Sequence, residues 1–111
     1  IFYKEKIIMT WQIIYESFHN NPRDVRTNPV TNKPSLWFYV YSENGNVYID
    51  NARYHDNSSK LTHRRMLDKN NFAQMLDLND RRNQGFAISK EAIAVTVNQV
   101  YWYGIFRDLQ E

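Results

Sequence analysis

The chain has 111 residues with a formal net charge of +2, is 42 % hydrophobic and 15 % aromatic, and contains no cysteine. Those figures fit one folded globular domain and exclude collagen, disulfide scaffolds, thiolate nucleophiles and every cysteine-based metal centre. No window approaches the roughly 18 to 20 uninterrupted apolar residues of a membrane helix, and the balance of charge is too small to attract a polyanion by field strength alone.

Residues 1–8 precede Met9 and show neither the apolar core nor the cleavage site of a secretory signal. They are expected to stand outside the domain, as upstream translation or an expression remnant, with 9–111 forming a single unit of cytoplasmic location. Met9 to Phe18 reads MTWQIIYESF. Alternation of Trp11, Ile13 and Tyr15 favours a strand over 10–17. Trp11, Ile14, Tyr15 and Phe18 also follow helical spacing behind Thr10 as N-cap. His19 to Pro34 is rich in Asn, Pro and charge without periodicity and reads as a long loop.

The strongest local signal is LWFYVYS, Glu43-Asn44-Gly45-Asn46 and VYIDNAR. Asn-Gly accepts positive φ at both central positions of a type I′ turn, so a hairpin of strands 36–42 and 47–53 is expected. Its register sets Tyr41 opposite Tyr48, Val40 opposite Ile49, Tyr39 opposite Asp50, Phe38 opposite Asn51 and Trp37 opposite Ala52. Leu36, Phe38, Val40, Val47 and Ile49 then form an aliphatic core face, and Trp37, Tyr39, Tyr41, Tyr48 and Asp50 the other face.

Residues 54–67 are polar and basic, a loop leading toward a helix. Asp68 or Asn70 can cap a helix over about 69–84, with Phe72, Met75 and Leu76 as its stripe and Gly85 as its stop. A second, long buried helix over about 90–107 is expected from the Ser89 start and the spacing of Ile93, Val97, Val100, Tyr101 and Gly104, against a β-branched run that argues for a strand. The sum is an α+β domain: a small antiparallel sheet, the hairpin joined by strand 10–17, packed against two helices.

Three constellations bear on function. His55 and His63, with Tyr54 and Asp56, are where acid-base or metal chemistry would be sought, but their spacing matches no compact ligand motif. No catalytic residue, metal ligand or cofactor is assigned, which favours a non-enzymatic protein over a small metal-dependent hydrolase or nuclease. Arg53, Lys60, Arg64, Arg65 and Lys69 form a basic segment beside the face Trp37, Tyr39, Tyr41 and Tyr48, the combination by which single-stranded nucleic acid is stacked and neutralised. Val100 to Phe106 packs four aromatics into seven residues. A helix apolar all round must be covered all round, so Trp102, Tyr103 and Phe106 are expected at a homodimer interface, the alternative being a helix fully buried in the core of the monomer. A binding or interaction module, homodimeric, is the leading expectation, and nucleic-acid binding the alternative.

Around the segments SENGNVYIDNARYH and VNQVYWYGIF, in size and in its thirteen asparagines, the chain resembles the small orphan proteins of bacterial mobile gene cassettes, such as integron cassette proteins. The resemblance implies a compact, often oligomeric bacterial protein and carries over no functional residue.

Overall fold

The computed structural model describes residues 8–111. The expectation for residues 1–8 therefore falls, apart from Ile8, outside the described residues. The chain is α+β: helix α1 (Trp11–Asn20), four strands β1 (Arg23–Arg26), β2 (Trp37–Glu43), β3 (Asn46–Asn51) and β4 (Arg65–Leu67), then helices α2 (Phe72–Asn83), α3 (Ser89–Val95) and α4 (Gln99–Gln110). The strands form one antiparallel meander in the order β1-β2-β3-β4. No helix among the described residues is long and apolar enough to cross a membrane.

The hairpin forms in the expected register, Tyr41 opposite Tyr48 through Phe38 opposite Asn51. Asn44 and Gly45 take φ of 52° and 83°, the left-handed pair that matches the twist of the flanking strands. The expected pairing of Trp37 with Ala52 is not made. β3 ends at Asn51, and Trp37 instead bridges Ser58 in parallel. Phe38, Val40, Val47 and Ile49 are fully buried, as the aliphatic face requires, whereas Leu36 lies outside β2 and is exposed.

Segment 10–17 is not a strand. The Thr10 hydroxyl accepts the Ile13 N–H at 3.1 Å, and α1 buries Ile14 and Phe18. A ten-residue amphipathic segment fits both periods, and the cap together with a helix-wide seat on β2 and β3 resolves it. The long loop contains β1, which has one apolar side chain, Val25, and so no readable alternation. Charged residues suit this position, because β1 is a sheet edge. β4 likewise buries only Leu67.

Asp68 caps a short 3-10 turn that leads into α2, its carboxylate accepting the Asn70 N–H at 2.9 Å. α2 ends in paired bonds from Gly85 N–H to the Arg82 carbonyl and from Phe86 N–H to the Arg81 carbonyl. With Gly85 at φ 94° this is a Schellman stop. The expected single helix over 90–107 is two. Thr96 leaves the helix in an extended conformation, and its hydroxyl accepts the Asn98 N–H at 3.0 Å, turning the chain into α4.

Helices α1 and α4 cover the aliphatic face of the sheet. In α4 every residue from Tyr101 to Phe106 is buried. Trp102 sits 6.0 Å from Trp11 and 6.5 Å from Phe72, ring to ring, Phe106 lies 6.2 Å from Phe72, and Tyr101 meets Phe38 edge-on at 5.0 Å. Gly104 lets the helix touch the sheet, since a Cβ there would lie 2.6 Å from the Arg26 carbonyl oxygen. Trp102, Tyr103 and Phe106, which were expected at a dimer interface, are buried within the chain itself. Sheet, α1 and α2 enclose the Trp102 and Phe106 rings within one chain, and Tyr103 is itself buried, so their burial needs no second subunit.

Candidate nucleic-acid interface

With α1 and α4 on one face, the opposite face of the sheet shows Trp37, Tyr39 and Tyr41 from β2, Tyr48 and Asp50 from β3, Asp24 and Arg26 from β1 and Met66 from β4, as the alternation of the paired strands requires. This face divides into two halves. One is covered by the loop after β3, and the other is open.

The covering loop is clasped by Asp24. Its carboxylate accepts the backbone N–H of Arg53 at 2.9 Å and of Tyr54 at 2.7 Å, and lies 2.8 Å from His55 Nδ1. Burial works to raise the Asp24 pKa, but these hydrogen bonds and the adjacent imidazole outweigh it and hold the carboxyl below the usual carboxylate range. An ionised carboxylate only accepts, so Nδ1 carries the proton in this pair. The imidazole lies flat on Trp37 with centroids 3.4 Å apart and planes 8° apart. Trp37 and Tyr39 are therefore roofed, Trp37 by His55 and Tyr39 by the Arg53 guanidinium 4.0 Å above its ring.

The open half is a cross-strand stack. Tyr41 and Tyr48 stack with ring centroids 5.4 Å apart and planes inclined by 27°. Arg64 sits 4.1 Å over the Tyr48 ring and donates from Nη1 to the Tyr41 hydroxyl at 2.8 Å, a contact that raises its already high pKa. Arg53 also lies 5.9 Å from the centroid of the Tyr41 ring. Tyr54, 73 % exposed, stands at the margin 6.3 Å from Tyr39. Among the described residues neither Arg53 nor Arg64 has a carboxylate within salt-bridge distance. Both are held by aromatic faces and leave most of their N–H donors free.

Of the eight residues expected at this surface, Tyr41, Tyr48, Arg53 and Arg64 are brought together. Trp37 and Tyr39 belong to the same face but lie under the loop. Arg65 does not belong to it: β4 sets Arg65 opposite the buried Ile49, and its guanidinium turns to Asn98 Oδ1 at 3.0 Å and toward Tyr101. Lys60 is exposed in the loop before β4. No known protein family, curated protein or solved structure matches the chain.

His55 pairs with Asp24 rather than with the neighbouring Asp56, and His63 is exposed. No three His, Asp or Glu side chains converge as a metal-binding group among the described residues. Asp24 escaped the sequence reading because it lies 31 residues from His55 in a segment without periodicity, and only the pairing of β1 with β2 brings it under the loop.

Proposed function

We propose that the chain is a non-enzymatic binding module for single-stranded nucleic acid, acting in the cytoplasm of a bacterial cell. Tyr41, Tyr48 and the exposed Tyr54 are the stacking platforms, and Arg53 and Arg64 the phosphate contacts. One observation carries the reading: a sheet face free of helices that interleaves tyrosines with two arginines lacking carboxylate partners. Base stacking on aromatic rings is tolerant of sequence, and the neighbouring guanidiniums neutralise the backbone. The homodimer reading loses its motive, since the aromatic helix that called for a partner is enclosed by its own chain.

Fluorescence anisotropy with labelled single-stranded DNA and RNA at low salt tests this. Binding should weaken as salt rises, and each of Arg53→Ala and Arg64→Ala should lower the log-log salt slope by about 0.7, the value for one phosphate contact on a single strand. Tyr48→Ala should weaken binding by about 1–3 kcal/mol. Absence of binding at low salt, with light scattering showing a stable dimer, would return the face to protein contact.

A further inference from the structure

Asp50 sets a carboxylate in the tyrosine face. It lies opposite Tyr39 across the hairpin and two residues beyond Tyr48 on the same side of β3, with Tyr41 on the diagonal. Continued one residue past Arg65, the ladder between β3 and β4 sets Arg64 opposite Asp50, yet the Arg64 guanidinium is held over Tyr48 and bonded to the Tyr41 hydroxyl. Among the described residues no cation lies within salt-bridge distance of Asp50. The other two carboxylates of this face are accounted for. Asp24 is buried and clasps the loop, and Glu43 stands exposed at the hairpin turn, in the field of Arg64.

Asp50 is half-buried, and its Oδ1 accepts the Asn51 N–H at 2.8 Å, which anchors the side chain and leaves that oxygen a second lone pair. Oδ2 has no partner among the described residues, and unlike the Ser42 and Tyr103 hydroxyls it is not sealed from solvent. A carboxylate without a cation opposes the phosphates that Arg53 and Arg64 attract, so its place on a polyanion-binding surface calls for donors on the ligand. Bases carry such donors. Thymine and uracil present N3–H between two carbonyls, and adenine and cytosine an amino group beside a ring-nitrogen lone pair, so in each an acceptor faces and repels the carboxylate. Guanine presents two adjacent donors, N1–H and N2–H, spaced for the two oxygens of one carboxylate.

We propose that Asp50 makes this face selective for guanine in single strands, its carboxylate accepting hydrogen bonds from N1–H and N2–H of a base packed against Tyr41 and Tyr48. The proposal rests on the single-strand reading of the face and names the base that the face prefers.

Fluorescence anisotropy at low salt tests it, with labelled short oligothymidylates and oligouridylates that each carry one central guanine, inosine, adenine or cytosine. The guanine strand should bind about tenfold more tightly than the adenine, cytosine and unsubstituted strands, with inosine, which lacks the N2 amino group, in between. Asp50→Asn should abolish the guanine advantage while the unsubstituted strand binds at least as tightly as before, since a negative charge has been removed. Equal affinities for all strands overturn the guanine proposal and leave the stacking platform standing, whereas no binding of any strand overturns both. An Asp50→Asn protein that weakens all strands alike, with the guanine advantage kept, assigns the carboxylate to holding the Asn51 N–H and likewise overturns the proposal. Should the variant fail to fold, the unaltered protein decides the question, because guanine and inosine strands bound equally well would show that the N2 amino group meets no acceptor.

Discussion

Asp24 is the residue on which the loop over the sheet depends. Its side chain is 1 % exposed and receives two backbone N–H groups and an imidazole. Asparagine keeps one acceptor oxygen but turns an N–H₂ toward donors, so Asp24→Asn should destabilise the protein by about 2–3 kcal/mol at pH 7 in chemical denaturation. The folded pKa of Asp24 is depressed. Its contribution is therefore complete above the unfolded-state value and disappears as pH falls through the folded one. The gap between the natural protein and Asp24→Asn should accordingly narrow below about pH 4. A gap independent of pH in the acid range would mean that the carboxylate's charge contributes nothing. Gly104 is a second residue with no slack. Its missing Cβ leaves room for the Arg26 carbonyl and the Phe38 ring, so Gly104→Ala should cost about 1–3 kcal/mol, although alanine is the better helix former in itself.

At the scale of elements, the hairpin is the part most legible from sequence. Asn44-Gly45 sets the turn, the turn sets the register, and the register separates Val40, Val47 and Ile49 from Tyr41 and Tyr48. Local chemistry suffices there because hairpin pairing spans few residues. β1 and β4 were not legible. Four and three residues long, each with one buried apolar side chain, they are recruited by the open edges of the hairpin and not by a pattern of their own. Helix α1 shows the intermediate case, in which two periods fit and a cap decides. Thr10→Ala should remove about 1 kcal/mol of stability, read from the thermal midpoint, with amide exchange rising first in the opening turn of α1. An unchanged midpoint would assign the helix wholly to its packing.

For the whole molecule, the arrangement puts helices on one side of a four-stranded sheet and leaves the tyrosine-arginine face on the other. The fate of the aromatic helix turns on this arrangement. Trp102 is fully buried among Trp11, Phe72 and Phe106, so Trp102→Ala should cost about 3–5 kcal/mol. The loss should be the same at every protein concentration, whereas a residue buried between subunits would make the midpoint rise with concentration. Unfolding at concentrations spanning two orders of magnitude separates the two cases.

The sequence by itself determined the α+β class, the hairpin and its register, the aliphatic core face, the α2 region with its Gly85 stop, and the company of tyrosine and arginine on one side of the sheet. Each of these follows from contacts between near neighbours or from strict alternation, which a linear string preserves. Only the tertiary structure decided that Trp102, Tyr103 and Phe106 are core, that Asp24 and not Asp56 holds His55, that Arg65 turns away from the tyrosines, and that Arg82 lies over Tyr103 with an unpartnered N–H. Those outcomes depend on pairs separated by 21 to 33 residues or more along the chain, brought together by strands too short to announce themselves and by helices whose covering partners the sequence does not name.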